Sequence, residues 1–175
     1  MTSPLQRPRL SIGSSSEGLE VARYLQADLE QRSVCDVEVW DQDVFEPSTY
    51  ALEVLHDVAE RSDFAVLVAS PDDVITSRGE TSSSVRDNVI FEFGLFAGAL
   101  GRRRTFLLMT GTAKLPSDVF GLMRLSYKQR SDGNVHAAVN TASLQIERQV
   151  KNQGARSRTA TGGPTDNQVD LISLL

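Results

Sequence analysis

A run of apolar residues from Val89 to Leu100 constrains this chain more than any other feature. Almost every position in it is apolar or glycine, and Glu92 is the only ionisable residue between Asp87 and Arg102. Ser84 and Asp87 have the spacing of a capping box, which predicts a helix beginning at Ser84. A helix that is apolar on all sides is buried on most of them. We therefore expect a core helix that carries one carboxylate.

Two interpretations of Glu92 are open from the residues alone. A carboxylate in apolar surroundings costs several kcal/mol unless it is paired or hydrogen-bonded. Asn88 lies four residues earlier, on the same helix face, and can donate such a hydrogen bond. Glu92 is then either a buried structural residue or a carboxylate held in a cleft for chemistry.

Length and charge limit the classes of protein to which the chain can belong. Its 175 residues suffice for one domain with a full core, and its net charge of −5 argues against binding duplex nucleic acid. No apolar run reaches the ~18 residues of a membrane span, and the first residues lack a signal peptide. The single cysteine, Cys35, excludes an internal disulfide and is expected to be a small core thiol. We expect a cytoplasmic protein.

The rest of the chain alternates between strand and helix patterns. Strands are predicted at Arg9–Gly13, Val34–Trp40, Phe64–Ala69, Thr105–Met109 and Leu122–Tyr127. Helices are predicted from a Ser14 cap to Gln31, after a Ser48 cap, and at Val135–Val150. The segment Ser70–Ser83 is predicted to be a polar loop. Residues 1–8 are expected to be a flexible arm, 9–150 one domain, and 151–175 a disordered tail or linker.

This alternation predicts an α/β fold, a doubly wound parallel sheet of four to five strands with helices on both faces. Ligands of such sheets bind beyond the carboxyl ends of the strands. Gly13, Ser14 and Ser15 follow the first strand there, and a glycine with hydroxyls at a helix start favours a phosphate, although a simple capped turn has the same pattern. Trp40 ends the second strand, where it is either a plate for a base or half-buried packing. Asp41, Asp43 and Glu46 lack a metal-ligand spacing, so we expect no metal site.

Two segments carry a resemblance to a known family. The run from Arg86 to Leu108, RDNVIFEFGLFAGALGRRRTFLL, and LPSDVFGL downstream resemble the bacterial TIR-like predicted nucleotide-binding family. This branch of the Toll/interleukin-1 receptor domains occurs beside STING-type and other cyclic-nucleotide sensors in antiphage systems. The resemblance covers roughly Arg9 to Val150 and implies a flavodoxin-like, TIR-like domain.

The resemblance also implies an activity and a set of site residues. It implies an NAD glycohydrolase that needs no cofactor, with Glu92 as the catalytic group and Asp118 of the LPSD motif lining the same site. Given that activity, the chemistry of NAD leads us to expect that Ser14, Ser15 and Trp40 hold the phosphates and a ring and that Arg86 contacts the diphosphate, beside Gly13 and Asn88. The implied partners are further copies of the domain and a cyclic-nucleotide sensor domain or subunit. An exposed Phe45 in the loop from Asp41 to Ser48 is the expected apolar anchor for self-association.

Two other functions remain open at this point. A nucleoside deoxyribosyltransferase-like enzyme shares the architecture and also places a carboxylate at an anomeric carbon. A non-catalytic TIR module would use the same surface for self-assembly or nucleotide binding alone.

Overall fold

The computed structural model describes residues 7–41, 49–69, 73–77, 80–84, 87–110 and 123–157. Within them the chain forms seven strands and four helices, with one turn of 3-10 helix at Ser16–Gly18. In chain order these are β1 (Arg9–Ser14), α1 (Leu19–Gln31), β2 (Asp36–Asp41), α2 (Thr49–Arg61), β3 (Phe64–Ala69), β4 (Asp73–Ser77), β5 (Glu80–Ser84), α3 (Asp87–Leu100), β6 (Thr105–Thr110), β7 (Met123–Tyr127) and α4 (Val135–Gln153).

Five strands form one parallel sheet in the order β2-β1-β3-β6-β7. The first, third and fourth predicted strands correspond to β1, β3 and β6, which occupy the three central places. The α/β fold predicted from the alternation is therefore confirmed.

Helices cover both faces of the sheet. Helices α1 and α4 pack on one face with Val66 and Val68 of β3, whereas α2 and α3 pack on the other with Ala65 and Leu67. Every residue of β3 is buried, because a central strand of a doubly covered sheet meets apolar neighbours on both sides.

The predicted polar loop at Ser70–Ser83 is wrong over most of its length. Strands β4 and β5 pair antiparallel there and form a separate two-stranded sheet. The segment contains β-branched residues, Val74 to Thr76 and Thr81, which favour strands, and main-chain hydrogen bonds hold a hairpin with little apolar content. The composition, rich in serine and aspartate, obscured that signal.

Helix α3 also differs from its prediction in two respects. It begins at Asp87, and Ser84 instead ends β5 opposite Asp73, so Ser84 is a strand residue rather than the start of the helix. The helix is buried on one face rather than on most sides, with 59% of Phe91 exposed. Its glycines, Gly94 and Gly98, lie on that outer face too. The sequence pattern predicted a helix that is apolar on every side because glycine and phenylalanine occupy its solvent-facing positions.

The end of α4 lies three residues beyond the predicted Val150, at Gln153. Gly154 then adopts a positive φ of 62°, which turns the chain back beneath the sheet. Residues 155–157 follow this turn against the amino edge of the sheet, and the predicted tail from 158 to 175 and the first six residues lie outside the described ranges. No helix within those ranges combines the length and apolar character that crossing a bilayer requires.

Candidate active site at the carboxyl edge of the sheet

Glu92 lies in the half of α3 nearest the carboxyl edge of the sheet. Helix α3 leads into the parallel strand β6, so its amino end lies at that edge. Glu92 is five residues from Asp87, or about 7.5 Å along the helix. Its side chain is buried, with 6% exposed, next to the core residues Val89, Phe93 and Phe96.

Asn88, one turn before Glu92, is exposed. The two side chains therefore lie in different environments although they are four residues apart. Position i−4 alone placed them on one face, but the helix start turns Asn88 toward solvent while Glu92 enters the core.

Trp40 and Gly13 form a tight pair at the same edge. They are register partners on β2 and β1, and a Cβ on Gly13 would lie 2.3 Å from Cζ2 of Trp40. The indole lies over the glycine and stacks on Phe96 with 5.2 Å between ring centroids, and Cδ1 of Leu67 on β3 would lie 2.9 Å from the same Gly13 Cβ. Gly13 thus makes room for Trp40, a reason that the sequence did not reveal.

The Trp40 ring packs within the protein. It is 9% exposed, and one of its faces lies on Phe96. A role of the ring in binding substrate stays a prediction. Phe96 lies four residues after Glu92, so the stack links the end of β2 to the helix that carries the carboxylate.

Ser14 ends β1 at the same edge and Ser15 follows it, and both are buried. The Ser14 hydroxyl donates a 2.9 Å hydrogen bond to the Ser15 carbonyl, and the Ser15 side chain makes no capping bond to the 3-10 turn. The predicted Ser14 cap is therefore wrong, because Ser14 is the last strand residue. Three other predicted site residues, Phe45, Arg86 and Asp118, lie outside the described ranges.

A second polar cluster lies on the opposite face of the sheet, between α1 and α4. Buried Asp28 accepts a 2.8 Å hydrogen bond from Ser143 and lies 2.7 Å from Nε2 of His136. The carboxylate stands between serine and imidazole, so His136 cannot take the hydroxyl proton as a catalytic triad requires. The cluster instead joins two helices. Spacing along the chain indicates that His136 and Ser143 share a helix face, since they are two helical turns apart.

Within the described ranges, His56, Asp57 and Glu60 are near enough together to suggest a metal site. All three are exposed on the surface of α2, where residues at this spacing meet in any helix. We assign them no metal.

Comparison with known proteins identifies the family. The model of the CAP12/Pycsar effector protein TIR domain matches residues 9–129. The chain belongs to this family. The matched range contains β1 through β7, and therefore both Trp40 and Glu92.

Curated relatives agree with this assignment. The Pycsar effector protein PaPycTIR of Pseudomonas aeruginosa is 42% identical over 144 residues, which are 81% of this chain and 46% of that protein. CD-NTase-associated protein 12 of Flavobacterium daejeonense is 43% identical over 116 residues, which are 66% of this chain and 37% of that protein. The chain thus spans half or less of the length of these two relatives.

A solved TIR structure supports the fold. The crystal structure of the RPS4 and RRS1 TIR domain heterodimer aligns with a TM-score of 0.52, covering 81% of this chain and 97% of that one, at 12% identity. The resemblance to TIR domains expected from Arg86–Leu108 and LPSDVFGL is confirmed.

Proposed function

We propose that this TIR domain cleaves NAD between nicotinamide and ribose, with Glu92 as the catalytic carboxylate. The observation that carries the proposal is the burial of Glu92, with 6% exposed, on α3 near the carboxyl edge of the sheet. Ligands of parallel α/β sheets bind at this edge, and a desolvated carboxylate interacts strongly with a developing positive charge. Membership in an effector TIR family supports the same proposal.

The chemistry needs little beyond such a carboxylate. In NAD the nicotinamide ring is a pyridinium, so the C–N bond can break with its electron pair going to the ring nitrogen, and nicotinamide leaves neutral. No general acid is required. Glu92 stabilises the ribosyl cation or forms a transient ester with it. Water then adds at the anomeric carbon and releases a proton, which gives ADP-ribose.

Other residues at this edge are proposed to hold the substrate. Ser14 ends β1 and Ser15 follows it where the diphosphate would pass, and both would have to turn their hydroxyls toward it. Arg86, which precedes α3, supplies a cation for the diphosphate, and Asn88 lies exposed at the start of the helix. Asp118 is proposed to position the nicotinamide ribose.

We also propose that activity depends on association of several copies, in an effector that acts against phage. The relatives in this family are named Pycsar effectors and CD-NTase-associated proteins, and each is longer than this chain. A cyclic-nucleotide sensor in the remaining part of such a protein, or in a separate subunit, would bring TIR domains together. Phe45 remains a proposed contact between copies.

One assay separates this proposal from its alternatives. The chain is incubated with NAD, and separately with a deoxynucleoside plus a free base, and the products are separated by chromatography. The proposal expects nicotinamide and ADP-ribose, linear or cyclic, only from NAD. Exchange of the base would instead indicate a deoxyribosyltransferase-like enzyme. No turnover in either mixture, with the protein dilute or concentrated, would indicate a non-catalytic module.

A further inference from the structure

The indole N–H of Trp40 is a buried donor without an acceptor. Nε1 is shielded from solvent and has no hydrogen-bond partner among the described residues. An indole nitrogen can only donate, so its partner must be an acceptor. Leaving a buried donor unpaired costs free energy, and native proteins contain few such groups.

The packing around the ring fixes where this donor lies. Nε1 is bonded to Cε2, and Cε2 would lie 2.7 Å from a Cβ on Gly13. The N–H is therefore beside the end of β1, one residue before Ser14, in the layer of the sheet that contains α3. It cannot be satisfied by the ring of Phe96, because the two rings are inclined by only 20° and the N–H lies in the indole plane.

The ring has little freedom to turn this donor elsewhere. Phe96 covers one face, and the missing side chain of Gly13 accommodates the benzo edge. The direction of the N–H is thus set before any ligand arrives. A donor fixed in advance binds an acceptor with less loss of conformational entropy than a mobile one.

We propose that the Trp40 N–H donates a hydrogen bond to an oxygen of the dinucleotide substrate. This inference rests on the proposed function, since it concerns the same edge of the sheet. The acceptors available on a dinucleotide there are the diphosphate oxygens and the ribose hydroxyls. Trp40 therefore binds substrate through its N–H while its ring contacts Phe96, one turn after Glu92. The stack between Trp40 and Phe96 would thereby hold the bound substrate oxygen at a constant distance from the Glu92 carboxylate.

The test removes the N–H and keeps the ring. Trp40 is the only tryptophan in the chain, so residue-specific incorporation of 3-benzothienylalanine changes position 40 alone. Sulfur replaces the N–H in this analogue. We expect the KM for NAD to rise about tenfold, as for the loss of one hydrogen bond, with kcat within about twofold, since binding is lost equally in ground and transition states. The melting temperature should stay or rise, because no donor remains to be buried unpaired.

Two binding measurements identify the acceptor and protect the test from failure of the proposed function. ADP and nicotinamide mononucleotide are titrated into Glu92→Gln protein with and without the analogue, by calorimetry. Weaker ADP binding identifies an oxygen of the ADP part, and weaker mononucleotide binding alone identifies one on the nicotinamide side. These titrations remain informative if the chain does not cleave NAD.

Three results would overturn the inference. In the first, the analogue raises the melting temperature but leaves the KM for NAD and the affinities for both ligands unchanged. The N–H would then be an unpaired or water-bound group. Another is a fall in kcat together with a lower melting temperature at unchanged KM, which would make Trp40 a packing residue only. The third is that the unmodified chain binds none of the three ligands.

Discussion

At the scale of single residues, the packing at the candidate site depends on Gly13, because a larger residue at this position would collide with Trp40. Gly13 has an ordinary strand conformation, and its importance comes from the ring of Trp40, which occupies the space of a Cβ. The sequence placed both residues at the carboxyl edge but gave no indication that they touch. Register between β1 and β2 decides the contact, and register is a tertiary property.

Gly13→Ala should destabilise the domain by about 1–3 kcal/mol, because the new methyl group must displace the indole from Phe96. Denaturant unfolding measures the loss, and fluorescence reports the environment of the only tryptophan. Gly98→Ala is the matched control, since nothing lies within 4 Å of its Cβ position and it is on the outer face of α3. The control should stabilise by about 0.5–1 kcal/mol. Equal effects of the two changes would contradict this account of Gly13.

Cys35 gives a prediction about pH at the same scale. Burial raises the pKa of its thiol from 9.0 to about 12. The unfolded chain loses this proton at lower pH than the folded one, so stability should fall as pH rises from about 9 to about 12. Cys35→Ala should flatten that part of the stability profile. Rapid alkylation of the native protein at pH 8, without prior unfolding, would show that the thiol is not held in the core.

At the scale of elements, the sequence predicted those whose apolar residues have a clear period. Strand β3 has the predicted bounds, Phe64–Ala69, because a continuous apolar run between polar ends leaves no ambiguity. The β4–β5 pair was missed because its strands carry few apolar residues in a period of two, and the antiparallel main-chain pairing leaves no pattern in the sequence. The exposed face of α3 was missed because glycine and phenylalanine read as core residues in a pattern.

The segment after α4 was also beyond sequence analysis, since its contacts are with main-chain atoms far along the chain. The Arg156 guanidinium donates to the carbonyls of Ala59, Glu60 and Ala99, at the carboxyl ends of α2 and α3, and its N–H donates to Asp63. A composition rich in glycine, serine and arginine gives no sign of such contacts. Arg156 thus joins the ends of α2 and α3 at the amino edge of the sheet, the edge opposite the candidate site.

Arg156→Ala should therefore lower the free energy of unfolding by roughly 1–3 kcal/mol, because three carbonyls lose a charged donor. Chemical denaturation measures it. Arg148→Ala removes the same charge from an exposed position on α4 and should change stability by less than about 0.5 kcal/mol. If the two variants have the same free energy of unfolding, the contacts of Arg156 contribute nothing to stability, and residues 155–157 do not stabilise the domain.

At the scale of the whole molecule, the proposed self-association has a surface available to it. Phe91 on α3 is 59% exposed and Leu52 on α2 is 45% exposed, both in the layer that contains Glu92. Burying one phenylalanine is worth roughly 2 kcal/mol, which is less than the cost of association. Isolated domains should therefore associate weakly, and activity should depend on concentration.

Phe91→Ser should remove the rise of specific activity with protein concentration, because the apolar contact between copies is lost. Leu144→Ser is the control, since Leu144 is 50% exposed on α4, on the opposite face of the sheet. Specific activity is measured over about a hundredfold range of concentration, with melting temperatures for both variants. A flat profile in the unmodified chain would show that each copy works alone. Equal loss in both variants would place the contact elsewhere.

The central claim is that buried Glu92 performs the chemistry, and one substitution tests it directly. Glu92→Gln keeps the size of the side chain and removes its charge, so NAD cleavage should fall by roughly 10³-fold or more while the protein stays folded. Glu53→Gln makes the same change at an exposed position of α2 and should leave the rate unchanged. Nicotinamide release is followed by chromatography at the highest concentration that the protein allows, with thermal unfolding of each variant alongside. If Glu92→Gln retains the rate of the unmodified chain and melts several degrees lower, Glu92 is a structural residue and the proposed mechanism is wrong.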